Sequence, residues 1–78
     1  MSIVVDMTGS ELLKRILKHD CFKVRQKGSH VRVSCTDGRC MTTVPVHRGK
    51  DLGRGLLRAI EKDLAPCLGE GWVAKDTK

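Results

Sequence analysis

The stretch His30-Val31-Arg32-Val33-Ser34-Cys35-Thr36-Asp37-Gly38-Arg39-Cys40-Met41-Thr42-Thr43-Val44-Pro45 decides the fold. Val31, Val33 and Cys35 alternate with His30, Arg32 and Ser34, which is the period of a strand with one face buried. Past Asp37-Gly38 the alternation resumes, with Cys40, Thr42, Val44 and Val46 on one face. Asp37-Gly38 is a strong two-residue hairpin signal, because a turn that matches the twist of its strands needs positive φ, which Gly and Asp adopt at least cost. That turn sets a register: Thr36 opposite Arg39, Cys35 opposite Cys40, Ser34 opposite Met41, Val33 opposite Thr42, Arg32 opposite Thr43 and Val31 opposite Val44. His30 then lies near Pro45. Pro45 has no amide hydrogen to give a ladder, so it marks a strand end or an edge.

Working outward, residues 21–26 alternate again, which predicts a strand with Phe22 and Val24 inward and Lys23 and Arg25 outward. Lys27-Gly28-Ser29 is the intervening turn, with Gly28 free to take positive φ. Upstream, Thr8-Gly9-Ser10-Glu11 fits a capping box, and Leu12, Leu13, Ile16 and Leu17 form an apolar stripe, so a helix is expected over residues 9–19. Downstream, Asp51 is a good helix cap. Leu52, Leu56, Ile60 and Leu64 recur every fourth residue with Leu57 beside them, predicting a helix over 52–64 that stops before Pro66. Residues 1–7 read as a leader, 8–65 as one domain, and 66–78 as a loose tail in which Trp72 could pack back. The order is helix, three strands, helix. One apolar side per element is satisfied by an α+β arrangement with both helices on one face of a three-stranded antiparallel sheet and the other face open to water.

A chain of 78 residues buries a modest core, which favours a shallow site over an enclosed cofactor pocket. Fifteen Lys and Arg against nine Asp and Glu give a net charge of +6. The pI is about 9.5, in the range of nucleic-acid-binding domains, where phosphate contacts release counterions. No apolar run is long enough to span a membrane, and the first residues lack a signal peptide's basic segment and apolar core. The expected location is the cytoplasm, and the expected state of Cys21, Cys35, Cys40 and Cys67 is free thiols. Cys35 and Cys40 would face each other across the hairpin, but they read as small buried hydrophobes. The cysteine spacing lacks the two close pairs of a structural zinc site, so no metal and no cofactor are expected.

The open face then collects Lys23, Arg25, His30 and Arg32, with Lys27 and His47 at its rim. An imidazole ringed by cations suits acid–base chemistry on a phosphodiester, although exposed strand faces are often basic and an exposed strand histidine often has no task. His47 stands in the loop ahead of the second helix, whose dipole disfavours a positive imidazolium. It could orient a group or serve as a second acid–base partner. Arg54, Arg58 and Lys62 form a ridge on the second helix that suits phosphate, an acidic partner or plain solvent. Only Phe22 and Trp72 are aromatic, which argues against the stacking platforms of single-strand binders.

Several stretches together resemble the HicA family of messenger-RNA interferases: Leu12 to Leu17 in a leading helix, Val24-Arg25-Gln26-Lys27-Gly28-Ser29-His30, Val44-Pro45-Val46-His47, and the Leu52, Gly55, Leu57, Ile60 spacing. The match covers residues 8–64. The resemblance implies a double-stranded-RNA-binding-domain-like fold, an endoribonuclease activity whose catalytic histidine is His30, and a HicB-type antitoxin that covers the active face. Departures from the family pattern are Leu56 after the helix glycine, Asp63-Leu64-Ala65-Pro66 at the helix end, and the extra leader before Met7. The preferred reading is therefore a toxin endoribonuclease of a type II toxin–antitoxin system, monomeric when free. It cuts messenger RNA without metal, with Lys23, Arg25, Lys27, Gly28, Ser29, Arg32 and His47 forming the RNA-binding surface around His30. A non-catalytic RNA-binding module of the same fold is the alternative, and a protein that only docks an acidic partner is a third.

Overall fold

The structure is a computed structural model and describes residues 7–47 and 49–75. The leader residues 1–6, Arg48 and residues 76–78, on which parts of the leader, loop and tail expectations fall, lie outside the described residues.

The chain runs α1 (Gly9–Ile16), β1 (Cys21–Lys27), β2 (His30–Cys35), β3 (Cys40–Pro45), α2 (Arg54–Leu68) and a short α3 (Trp72–Lys75). The three strands form one antiparallel sheet in the order β1-β2-β3. The architecture is α+β with the expected helix–strand–strand–strand–helix order. The β2–β3 register is the one the Asp37-Gly38 turn implies, from Cys35 opposite Cys40 to His30 opposite Pro45. Positive φ at Thr36, Asp37 and Gly38 makes the reversal. At the β1–β2 turn, Lys27 pairs with His30, so Gly28-Ser29 is a two-residue loop. Gly28 has φ +60° and Ser29 does not share it, which fits a turn that needs glycine at its first central position.

The capping box at α1 is formed: the Glu11 amide donates to Thr8 Oγ1 at 3.1 Å and the Thr8 amide to Glu11 Oε1 at 3.0 Å. The helix ends three residues before its expected limit. Beyond it the Lys18 and His19 amides reach back only three residues, to the Arg15 and Ile16 carbonyls, which is the tighter winding common at helix ends. Gly9 sits where α1 meets the end of β3. A Cβ there would overlap the Pro45 carbonyl oxygen and come within 3.1 Å of the Val46 Cα, so only glycine permits this approach.

Leu12 and Ile16 of α1, Leu57, Ile60 and Leu64 of α2, and Val31, Val33, Cys35, Cys40 and Val44 of the sheet form one buried cluster. Met7, placed in the leader by the sequence reading, belongs to it, and its carbonyl accepts from the Leu52 amide at 2.7 Å. The α2 stripe differs from the expected one. Leu56 is 42% exposed and Leu57 takes the inward position, because the helix starts at Arg54 behind an N-cap at Gly53. Asp51 does not cap it and instead bridges to Thr8.

Three further expectations are corrected, two of them in the C-terminal third. The α2 helix does not stop before Pro66; proline sits inside its last turn. The amide hydrogen that proline lacks would have gone to the Lys62 carbonyl. Both residues are exposed, so water can take that carbonyl. The helix continues to Gly69, whose φ of +99° ends it and whose amide donates to the Ala65 carbonyl. Within the segment read as a loose tail, Trp72 packs back as allowed for and Val73 joins it in the core: both are buried, and Trp72 Nε1 donates to the Glu61 carbonyl at 2.9 Å. Finally, the cysteines are not free thiols. Cys21 bonds to Cys35 and Cys40 to Cys67. Cys35 and Cys40, although opposite in the ladder, are each bonded outward, one tying β2 to β1 and the other tying β3 to α2.

Candidate functional site

Side chains opposite each other in an antiparallel pair share a face. Because Val31, Val33 and Cys35 are buried beneath the helices, the face of His30, Arg32 and Ser34 is the open one. The register then defines three rows across the strands: Lys27, His30 and Pro45; Arg25, Arg32 and Thr43; Phe22, Ser34 and Met41. Two rows are basic, and the third is apolar at both ends. None of these positions holds a carboxylate.

A bulge in β1 explains the composition of this face. Cys21 is buried opposite Cys35, so Phe22 must point outward and Lys23, opposite Val33, toward the helix side. The register shifts between Lys23 and Arg25, leaving Val24 as the surplus residue. One extra residue reverses the facing of everything after it. Arg25 and Lys27 therefore reach the open face as expected, whereas the placement of Lys23 there and of Phe22 inward is corrected. Phe22 is 61% exposed and Val24 53% exposed. The signal that could have found this was Cys21 itself: a buried residue starting the strand fixes the facing of Phe22.

At the basic end, two segments are drawn together. The Val46 amide donates to the Ser29 carbonyl at 2.6 Å, which seats the chain after β3 against the β1–β2 turn. Ser29 Oγ lies 3.5 Å from His47 Nε2. The rings of His30 and His47 stand edge to face with centroids 6.2 Å apart. Both histidines are exposed. His47 thus meets the strand turn rather than the start of α2. Gly28 is open on its side-chain side, with nothing within 4 Å of a Cβ position. Its carbonyl accepts from Gln26 Nε2 at 3.0 Å, which stiffens the turn. Arg32 Nη1 donates to Thr43 Oγ1 at 3.1 Å, holding the guanidinium along its row. Among the described residues no carboxylate pairs with Arg25, Lys27 or Arg32, so their charge is available to an anion.

The structure therefore brings together Arg25, Lys27, Gly28, Ser29, His30, Arg32 and His47. Lys23 is not with them. Nor is the ridge of Arg54, Arg58 and Lys62, which is exposed on the helix that covers the opposite face of the sheet. The site has two imidazoles within one phosphate's reach of each other and three cations beside them. That arrangement can hold a phosphodiester and move protons on either side of it. Among the described residues no group of three or more His, Cys, Asp or Glu is placed to hold a metal ion. No described helix is long and apolar enough to cross a membrane.

Comparison with known protein families gives a match over residues 9–65 to the family described as HicA toxin of bacterial toxin–antitoxin. No curated protein and no solved structure matches the chain.

Proposed function

The chain belongs to the HicA toxin family of bacterial toxin–antitoxin systems, and from that premise we propose that it is an endoribonuclease that cuts messenger RNA with His30 and is held in check by a HicB-type antitoxin. The observation that carries this reading is the pair of exposed imidazoles, His30 and His47, 6.2 Å apart at the edge of a cationic sheet face. One imidazole removes the proton of the ribose 2′-OH. The 2′-oxygen bonds to phosphorus as the bond to the 5′-oxygen breaks. The other imidazole gives its proton to that leaving oxygen, so the products are a 2′,3′-cyclic phosphate and a 5′-hydroxyl. His30, which stands within the basic rows, takes one of these roles. His47, held beside Ser29, is the candidate for the other. Arg25, Lys27 and Arg32 hold the phosphate and offset charge that builds on its oxygens. The donor set of imidazoles and cations without a carboxylate suits a phosphate rather than a divalent ion, so the proposed reaction needs no metal.

The free toxin acts as a monomer, and its antitoxin covers the same open face, so that RNA and antitoxin exclude each other. The deciding experiment incubates the purified chain with RNA. Wild-type protein cuts it in EDTA, His30→Ala protein does not, and a 2′-deoxy substitution at the cleaved link blocks the cut. Cleavage by His30→Ala protein overturns the scheme. RNA that binds in a salt-sensitive way but is never cut points to a non-catalytic binding module.

A further inference from the structure

The third row of the open face has no part in the chemistry just described. Phe22 on β1 and Met41 on β3 flank Ser34 on β2, which is a large–small–large arrangement across three strands. Both large side chains are exposed, at 61% and 41%. Their backbones are two strand spacings apart, roughly 9.6 Å. A flat base about 3.4 Å thick fits between side chains that rise from the sheet at that separation. Ser34 is only half-buried at the floor, and its hydroxyl can donate to or accept from a base edge. Phe22 stands near the start of β1 on the open face, where a large apolar side chain this exposed adds little to the core, and Cys21 beside it is the buried residue. The row is also continuous with the cations: Arg32 and Arg25 lie between it and His30.

We infer that Phe22, Ser34 and Met41 form a slot for one unpaired nucleobase, and that this slot sets which position of the RNA chain lies over His30. The inference rests on the nuclease reading for its substrate. From His30 to Ser34 is four residues along β2, roughly 13 Å, which is the reach of a short single-stranded segment and not of one nucleotide. The base in the slot is therefore separated from the cleaved phosphate by intervening nucleotides whose phosphates pass Arg32 and Arg25. The substrate class is single-stranded RNA, because a paired base cannot enter a slot between side chains. The slot is a specificity-determining element and not a catalytic one, since it touches the RNA away from the reacting atoms.

The test uses the full chain and an RNA oligonucleotide cut at one link, with a single abasic nucleotide moved along it. Wild-type protein loses at least about fivefold in kcat/KM when the abasic position coincides with the slot, on the scale of base–aromatic stacking. Phe22→Ala loses a similar factor on intact RNA and is then indifferent to that abasic position, and Phe22→Trp restores both. Circular dichroism checks that Phe22→Ala is folded, as expected for a side chain this exposed. Unchanged kcat/KM in Phe22→Ala, or losses that multiply independently, overturns the slot. So does a Phe22→Ala protein that cuts RNA normally but escapes its protein inhibitor, which would make the row a protein-docking surface. If wild-type protein cuts no RNA, the nuclease reading falls separately, and the same oligonucleotides are scored by fluorescence anisotropy. Abasic-sensitive binding that Phe22→Ala abolishes then supports the slot, and binding indifferent to both, or no binding, overturns it.

Discussion

Replacing Gly9 by alanine tests how α1 is fitted to the end of β3. The added methyl would overlap the Pro45 carbonyl oxygen, with the carbonyl carbon 2.9 Å and the Val46 Cα 3.1 Å away. All three are backbone atoms, so no side chain can rotate aside. Either α1 lifts from the sheet, loosening Leu12 and Ile16, or the segment after β3 moves and strains the bond from the Val46 amide to the Ser29 carbonyl. Overpacking of this kind costs about 1–3 kcal/mol, and a clash with rigid backbone belongs to the upper half. Removing a glycine from a helix returns up to about 1 kcal/mol. The net expectation is a loss of about 2 kcal/mol. For a domain this small the urea dependence is about 1 kcal/mol per M, so the unfolding midpoint should fall by about 2 M. Gly55→Ala is the internal control. It lies in α2 with nothing within 4 Å of its Cβ position, and it should raise stability by about 0.5 kcal/mol. The measurement is equilibrium urea unfolding followed by circular dichroism. A Gly9→Ala midpoint at or above that of the parent refutes the close-approach argument.

Three further outcomes are expected. Trp72→Ala removes a fully buried indole and should cost about 3–5 kcal/mol; a change below about 0.5 kcal/mol in thermal unfolding would show that the C-terminal segment is not part of the core. The buried Thr42 hydroxyl donates to Asp63 Oδ2 at 2.9 Å, so Asp63→Ala should cost about 1–3 kcal/mol, and adding Thr42→Val should recover part of it, which a double-mutant cycle reads directly. Reducing the cystines should lower the denaturation midpoint sharply, since closing rings with sequence separations of 14 and 27 is worth about 3 and about 3.5 kcal/mol in the chain-entropy account; an unchanged midpoint in dithiothreitol would show that the core alone holds the fold.

Much of the architecture was legible because local signals agreed. The capping box, the two tight turns and the alternation in β2 and β3 each specify geometry through nearby residues, so the register and the open face followed. What was not legible depends on distant partners. The facing of β1 was misread because Phe22 and Val24 look like core residues, whereas a buried cystine at Cys21 and one surplus residue at Val24 set the strand's facing instead. Leu56 looks like part of a four-residue repeat, but the helix starts where Leu57 faces inward. Pro66 marks a helix end by its own chemistry, and packing of Leu68 with the bond from Cys67 to Cys40 carries the helix past it. At the candidate site, His30 and Arg32 could be placed from the alternation of β2 alone, whereas the cations of β1 depend on the bulge. The approach of His47 could not, since it hangs on one backbone bond between residues 17 apart in sequence.

Four cysteines can be joined in three ways, and the way adopted here is the sequential one, first to second and third to fourth. The two covalent rings neither nest nor interlock: one encloses the β1–β2 hairpin, the other runs from β3 through α2. Each ring can thus be closed from residues already synthesised, without waiting for the rest of the polypeptide or threading one loop through the other. Either ring can also be opened while the other stays closed.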